Sequence, residues 1–156
     1  METDLVGRCG IYCGACGVYR ACVDGGEYRD HVIREWAIPV EKLRCRGCQA
    51  LTPDCWGSGC ETVRCLDSKG YRFCHECAAF MGRSCRRYEE VAAKYLGRGQ
   101  DIRAALDRIR AGDADVWLRE QRERWRCPSC GRRISWFPGR CFGCGEAINI
   151  KITPRE

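Results

Sequence analysis

Cysteine spacing constrains the fold of this chain more than any other feature of its sequence. Twelve of the sixteen cysteines fall between Cys9 and Cys85, and six of those twelve form Cys-x-x-Cys pairs. Two residues between thiols let the backbone turn so that both sulfurs reach one metal ion. Three pairs and six single cysteines supply twelve sulfurs, the number that three four-sulfur sites require. They are Cys13/Cys16, Cys45/Cys48 and Cys74/Cys77, with the singles Cys9, Cys22, Cys55, Cys60, Cys65 and Cys85.

The sequence indicates that these cysteines bind metal rather than form disulfides. Residues 1–8 include two acidic side chains and no apolar core of a signal peptide, and no run of about eighteen apolar residues follows. We therefore expect a cytoplasmic protein that does not enter a membrane. In a reducing cytosol, cysteines at this density are ligands more often than cystines.

The C-terminal segment repeats a Cys-x-x-Cys-Gly motif. Its two copies lie ten residues apart, and this arrangement is typical of a short zinc ribbon. Apolar residues alternate beside both copies, which predicts β-strands that pack along one side of the metal. The ligands are Cys127, Cys130, Cys141 and Cys144, and the strand residues are Ile134, Trp136, Ile148, Ile150 and Ile152.

Helical periodicity appears in two other places. Apolar residues spaced three and four apart predict one helix over residues 26–37 and two or three more over residues 89–124. Asp101 and Asp113 stand where helix N-caps are expected, and Val116, Trp117 and Trp125 are predicted to face inward. The loop over residues 49–59 has no periodicity, so bound metal must order it.

These observations predict a small, metal-dependent protein of the α+β class. We expect an irregular cysteine-rich N-terminal domain over residues 1–88, connecting helices over 89–124 and a β zinc ribbon over 125–156. In the N-terminal domain we expect bound ions, rather than an apolar interior, to determine the shape. A change of Cys130 to Ala should then release one ion and loosen only the tail.

The number of thiols predicts about four zinc ions, each in a closed site of four cysteines. A filled tetrahedron leaves no position for a substrate, so we expect a non-catalytic binding or adaptor module with a protein partner. The alternative is an iron–sulfur cluster in the N-terminal domain, in an electron-transfer or redox-sensing protein. The spacing Cys9-x3-Cys13-x2-Cys16 also occurs in radical S-adenosylmethionine enzymes, but their barrel needs about 200 residues or more.

A third hypothesis comes from the charge of the C-terminal half. Residues 98–156 contain 13 basic and 8 acidic side chains, which makes nucleic acid a possible partner for this region. Arg132, Arg133 and Arg140 with Trp136 and Phe142 would supply a basic and aromatic surface for a single strand. In the competing interpretation, these aromatic side chains shield the metal, and the arginines of the helices only keep the protein soluble.

The N-terminal motifs follow one another in the order Cys9-Gly-Ile-Tyr-Cys13-Gly-Ala-Cys16, Trp36, Cys45-Arg-Gly-Cys48, Cys60-Glu-Thr-Val-Arg-Cys65, Lys69-Gly70, Cys74-His-Glu-Cys77 and Cys85. This order resembles a prokaryotic family catalogued as domain of unknown function 3795. The resemblance covers residues 8–88, implies a cysteine-rich metal-binding domain and implies no established activity. Members usually have a cysteine where this chain has Gly57, and they generally lack an equivalent of Cys22.

Short loops cost less entropy to close than long ones, so we group the ligands by sequence neighbourhood. The alternative also stays open, in which alternate Cys-x-x-Cys turns, or knuckles, share an ion. The three N-terminal groups are Cys9/Cys13/Cys16/Cys22, Cys45/Cys48/Cys55/Cys60 and Cys65/Cys74/Cys77/Cys85.

Overall fold

The computed structural model describes residues 5–149. In this range the chain forms seven short α-helices, joined by loops that include single turns of 3-10 helix. The helices are α1 (Gly17–Asp24), α2 (Gly26–Trp36), α3 (Glu61–Lys69), α4 (Ala78–Met81), α5 (Arg86–Leu96), α6 (Ile102–Arg110) and α7 (Ala114–Arg124).

The predicted α+β class and the predicted C-terminal β ribbon are wrong. Residues 5–149 contain helices and no β-strand. Only isolated antiparallel bridges occur, and two of them lie in the C-terminal segment, between Arg126 and Arg133 and between Arg140 and Ala147. Each bridge closes one tight knuckle, and neither is extended into a ladder.

The C-terminal segment forms no ladder because the chain leaves each bridge after a few residues. The Ile134 amide donates to the Trp125 carbonyl at 3.1 Å, but two residues later the Trp136 amide donates to the carbonyl of Ala15 at 3.3 Å. The second contact draws the chain towards the N-terminal half and away from a partner strand. Of the other predicted strand residues, Ile148 lies outside any strand, and Ile150 and Ile152 lie outside the described residues.

The helices predicted from apolar periodicity are confirmed. Helix α2 matches the helix predicted over residues 26–37, and α5 to α7 occupy the region predicted to connect the two cysteine-rich parts. Asp101 caps α6, because its Oδ1 accepts from the Ala104 amide at 3.0 Å. Trp125 is buried as predicted, whereas Val116 is 41% exposed and does not face inward.

The N-terminal half has an apolar interior, contrary to our expectation. Val6, Ile11 and Tyr12 are buried in one cluster with residues of α3 and α5 to α7. The Tyr12 ring meets Trp117 edge to face at 6.1 Å, and its amide donates to Gln100 Oε1 at 2.8 Å. Burial of apolar side chains therefore contributes to the shape of this half together with any bound ion.

A second, smaller cluster lies between α1 and α2 and the C-terminal segment. Its buried members are Val18, Ala21, Tyr28, Val32, Ile38 and Leu43, and the partly buried Trp36, Phe137 and Phe142 pack against them.

Candidate metal centres

Four C-terminal cysteines form a compact sulfur cluster just after α7. The sulfurs of Cys127, Cys130, Cys141 and Cys144 all lie within 4.8 Å of one another. The Cys127–Cys144 and Cys130–Cys141 sulfurs are each 3.6 Å apart. A tetrahedral site with metal–sulfur bonds of about 2.3 Å has sulfur–sulfur edges of about 3.8 Å. The cluster therefore has the dimensions that one four-coordinate metal ion requires.

Backbone amides of the two knuckles point at these sulfurs. The Gly143 amide donates to Cys141 Sγ at 3.3 Å, and the amides of Cys130 and Ser129 lower the pKa of Cys127 to about 7. Such amides stabilise thiolate, which is the form that binds metal. Gly131 follows the first knuckle with a positive φ of 71°, which lets the chain turn back sharply.

A second group of four cysteines surrounds a small cavity in the N-terminal half. The cavity has a volume of about 30 Å³, and no three of these sulfurs lie as close together as those of the C-terminal cluster, within 4.8 Å of one another. Its lining includes Lys69, whose ammonium donates to Cys77 Sγ at 3.6 Å. The cysteines are Cys65 in α3, Cys74 in a 3-10 turn, and Cys77 and Cys85 immediately before α4 and α5.

Lys69 is a functional candidate that the cysteine spacing alone did not reveal. It lies one turn after Cys65 on α3, and the thiolates of Cys65 and Cys77 raise its pKa. A cation beside four thiolates offsets part of the net negative charge of a site with a divalent ion. The spacing of four residues between Cys65 and Lys69 was the available signal, because residues at i and i+4 share a helix face.

The remaining eight cysteines lie between Cys9 and Cys60, and one sulfur contact among them is direct. The sulfurs of Cys13 and Cys48 are 3.7 Å apart, although the grouping by sequence neighbourhood placed them in different sites. All sixteen cysteines of the chain are free. That each of the sixteen is a metal ligand stays a prediction.

Burial keeps several N-terminal thiols protonated when no ion is bound. Desolvation, with a smaller contribution from the nearby Cys48 thiolate, raises the pKa of Cys9 to about 12. Desolvation likewise raises the pKa of Cys45 and of Cys74 to about 12. Metal binding at these positions must therefore displace protons.

The two histidines make ring contacts. His75 stacks on Phe73 with the ring centres 5.3 Å apart, and burial lowers its pKa. His31 stacks on Phe137 at 5.5 Å and contacts Phe142 at 5.2 Å. Both rings therefore have a packing role.

The C-terminal aromatic side chains pack against α2. Trp136 stacks on Trp36 with ring centres 5.5 Å apart, and Phe142 meets Tyr28 edge to face at 5.0 Å. These rings already pack against side chains of α2, so they do not form a free stacking surface for nucleic acid bases. The three nearby arginines, Arg132, Arg133 and Arg140, line a cavity of about 160 Å³ together with residues of α1 and α2.

Comparison with known proteins gives one match. Residues 5–90 match a family described as "Protein of unknown function (DUF3795)", over more than half of the chain. No curated protein and no solved structure matches the chain. No helix among residues 5–149 is long and apolar enough to cross a membrane.

Proposed function

The chain belongs to the family described as protein of unknown function (DUF3795), and from that premise we propose that it is a zinc-binding protein with about four structural sites of four cysteines each. The observation that carries the proposal is the four-sulfur cluster of the C-terminal segment, whose sulfurs all lie within 4.8 Å of one another. Four thiolates in a tetrahedron suit zinc or iron, and zinc in such a site supplies folding energy.

The small cavity between Cys65, Cys74, Cys77 and Cys85 supports a mononuclear site in the N-terminal half as well. Its four thiols line one cavity, and the Lys69 ammonium contacts the Cys77 sulfur at 3.6 Å. Protein ligands fill all four positions of a four-thiolate site, so no position is left for a substrate. We therefore propose a binding or adaptor role, with another protein as the partner and a reducing cytoplasm as the compartment.

Metal and sulfide analysis of the purified full-length protein tests the proposal. We expect about four zinc ions per chain, no acid-labile sulfide and a colourless solution. Iron with sulfide and absorption near 400 nm would replace it with the iron–sulfur alternative. A protein that retains no metal after anaerobic purification would overturn both.

A pair of variants tests the C-terminal site. Cys130→Ser should lower the metal content by one ion per chain, because it removes one of four ligands. Ser129→Ala changes the neighbouring residue of the same knuckle and leaves the ligands intact, so its metal content should stay unchanged. Equal metal content in the two variants would show that the sulfur cluster holds no ion.

A further inference from the structure

We propose that the cavity between the C-terminal segment and helices α1 and α2 binds a small molecule through its phosphate group. The inference goes beyond the proposed function and uses none of the candidate metal ligands. The cavity has a volume of about 160 Å³, which is below the roughly 300 Å³ at which sites for drug-sized ligands begin. It therefore suits one phosphate group with a short organic body.

The charge of the cavity lining favours an anion. Four arginines and two carboxylates line the cavity, which gives it a net charge of +2. A phosphomonoester carries between about 1.5 and 2 negative charges at pH 7 and therefore matches this charge. The charged residues are Arg20, Arg132, Arg133 and Arg140 with Asp24 and Glu27.

One of the two carboxylates is already paired, and the other is exposed. The buried Arg20 binds Asp24 through two of its nitrogens, and its Nε donates to Asp24 Oδ2 at 3.0 Å. Glu27 is exposed in the first turn of α2. No carboxylate within residues 5–149 forms an ion pair with the three arginines of the C-terminal segment. Their charge is therefore available to a ligand.

Other contacts hold these three arginines in position. Arg133 Nη1 donates to the Arg122 carbonyl at 2.6 Å, and Arg140 Cζ lies 4.6 Å from the centre of the Phe142 ring. Gly143 makes room for Arg132, because a Cβ at that position would lie 3.0 Å from Arg132 Cδ.

Ordered arginines lose little conformational entropy when a ligand arrives. Arg132 and Arg140 are exposed, so a ligand can reach them from solvent. A guanidinium also matches two oxygens of a phosphate at once, which makes arginine well suited to this group.

The apolar part of the lining favours a small organic phosphate over a strand of nucleic acid. Ile134, Phe137 and Phe142 line the cavity as well, and the edge-to-face contact with Tyr28 at 5.0 Å holds the Phe142 ring. These side chains can contact the carbon atoms next to a phosphate. The further phosphates of a strand would meet the exposed carboxylate of Glu27.

Calorimetric titration of the full-length protein with inorganic phosphate and with phenyl phosphate, at constant ionic strength, tests the inference. We expect one binding site per chain for each probe. Arg140→Gln should weaken both affinities at least about tenfold, because it removes charge-assisted hydrogen bonds. Arg119→Gln is the matched control, since Arg119 is exposed on α7 and does not line the cavity. Its affinities should stay within about twofold of the wild type.

Two results of this titration would overturn the inference: no binding of either probe to the wild type, or equal weakening in the two variants. Metal content measured on the same samples tests the proposed function separately. A 5′-phosphorylated DNA oligonucleotide tests the other source of a phosphate group. If it bound at least about tenfold more tightly than phenyl phosphate, and Arg140→Gln abolished that binding, nucleic acid would replace the small molecule as the ligand.

Arginine modification of the wild-type protein covers the case in which Arg140→Gln fails to fold. Phenylglyoxal reacts with accessible guanidinium groups, and mass spectrometry of a digest locates the modified residues. Phenyl phosphate at ten times its Kd should slow the modification of Arg132 and Arg140 about tenfold and leave that of Arg119 unchanged. Equal rates at Arg140 with and without phenyl phosphate would overturn the inference.

Discussion

At the scale of single residues, the pKa of each thiol depends on whether backbone amides or apolar side chains surround it. Within the Cys74/Cys77 pair, burial raises the pKa of Cys74 to about 12, whereas the amides of Ala79 and Phe80 lower the pKa of Cys77. Amide hydrogen bonds stabilise the thiolate, and apolar surroundings stabilise the thiol. One Cys-x-x-Cys pair therefore contains an easily ionised ligand and a reluctant one.

This difference predicts how many protons each site releases when it binds metal. Cys9 and Cys45, with pKa values of about 12, are protonated at pH 7, so each should release a proton when its site binds an ion. The amides of Cys130 and Ser129 lower the pKa of Cys127, whereas the hydrogen bond with Cys127 raises the pKa of Cys144. The C-terminal site should therefore release fewer than four protons. In both regions the metal affinity rises with pH and is lost as the pH falls.

Calorimetric titration with zinc, in buffers of different ionisation enthalpy, measures these proton counts. The Cys130→Ser variant, which lacks the C-terminal site, should show only the binding events with the larger count. A lower average proton count in that variant than in the wild type would contradict the assignment.

The Tyr28 hydroxyl on α2 gives a second prediction, which concerns stability. Tyr28 shares a hydrogen bond of 2.6 Å with the Ser135 hydroxyl and donates to the Phe137 carbonyl at 3.0 Å. Tyr28→Phe should lower the free energy of unfolding by about 1–2 kcal/mol, because it removes buried hydrogen bonds. Urea unfolding of the zinc-loaded protein measures the change.

Tyr19→Phe is the control for that measurement. Tyr19 is half-buried on the neighbouring helix α1, and its hydroxyl has no hydrogen bond within the described part of the chain. Its replacement should change the free energy of unfolding by less than about 0.5 kcal/mol. Equal losses in the two variants would show that the Tyr28 contacts do not hold the C-terminal segment in place.

The sequence predicted the four-cysteine cluster of the C-terminal segment but not the contact between Cys13 and Cys48. Cys-x-x-Cys spacing brings two sulfurs together locally, and the C-terminal cluster follows from it because both knuckles lie close in sequence. The contact between Cys13 and Cys48 depends on how the chain between them packs. Loop-closure entropy alone favours local groups and takes no account of the burial of apolar side chains, which brings these two thiols together.

At the scale of elements, four helices begin directly after a cysteine. None of the four has a side-chain hydrogen bond at its N-cap. The N-terminus of a helix carries partial positive charge, so a thiolate bound to metal there is stabilised by the first-turn amides. The helices are α1, α3, α4 and α5, and their N-cap residues are Cys16, Cys60, Cys77 and Cys85.

Metal removal should therefore affect these helices first. Helices of four to eleven residues are marginal alone, and α1, α3 and α5 would lose the anchor of their N-termini. We expect a chelator to speed amide exchange there about tenfold or more, as measured by hydrogen–deuterium exchange with mass spectrometry. Helix α6 is the internal control, because Asp101 caps it and its Leu106 is fully buried.

The order in which the helices lose protection from amide exchange, as chelator is added, shows whether each helix depends on metal separately. If α6 lost its protection at the same chelator concentration as α1, the whole chain would unfold as one unit. The N-cap cysteines would then have no separate role.

Element prediction succeeded where a helix has a long apolar period. Helices α2, α5, α6 and α7 have nine to eleven residues with apolar side chains three and four apart, so the pattern was sufficient. Helices α1, α3 and α4 were not predicted, since each begins directly after a cysteine that was interpreted only as a ligand, and α1 and α4 are also short. The C-terminal strands were predicted from alternation, but each knuckle closes with a single bridge.

At the scale of the whole molecule, the C-terminal segment contacts both apolar clusters. Trp125, Cys127, Ile134 and Cys141 belong to the larger cluster. Phe137 and Phe142 pack against the smaller one beside α2. A metal ion in the C-terminal sulfur cluster would therefore organise contacts well beyond its own knuckles. This packing changes our expectation that loss of the ion would loosen only the tail.

We expect Cys130→Ser to destabilise the surroundings of α2 as well as the C-terminal segment. Without its ion the loop from Phe137 to Phe142 loses its fixed geometry, and the ring contacts that these residues make with Tyr28 and His31 weaken. Amide exchange over residues 26–36 should become at least about tenfold faster, and tryptophan fluorescence should shift to the red as Trp36 and Trp136 separate.

Cys85→Ser supplies the matched comparison, because it also removes one ligand of a candidate site but lies next to the larger cluster only. It should leave exchange over residues 26–36 unchanged while it speeds exchange in α5, which begins at the next residue. If Cys130→Ser released one ion and α2 kept its full protection, the C-terminal segment would be an independent unit. Its contacts with α2 would then contribute little to the stability of the N-terminal half, and the original expectation of a separate tail would hold.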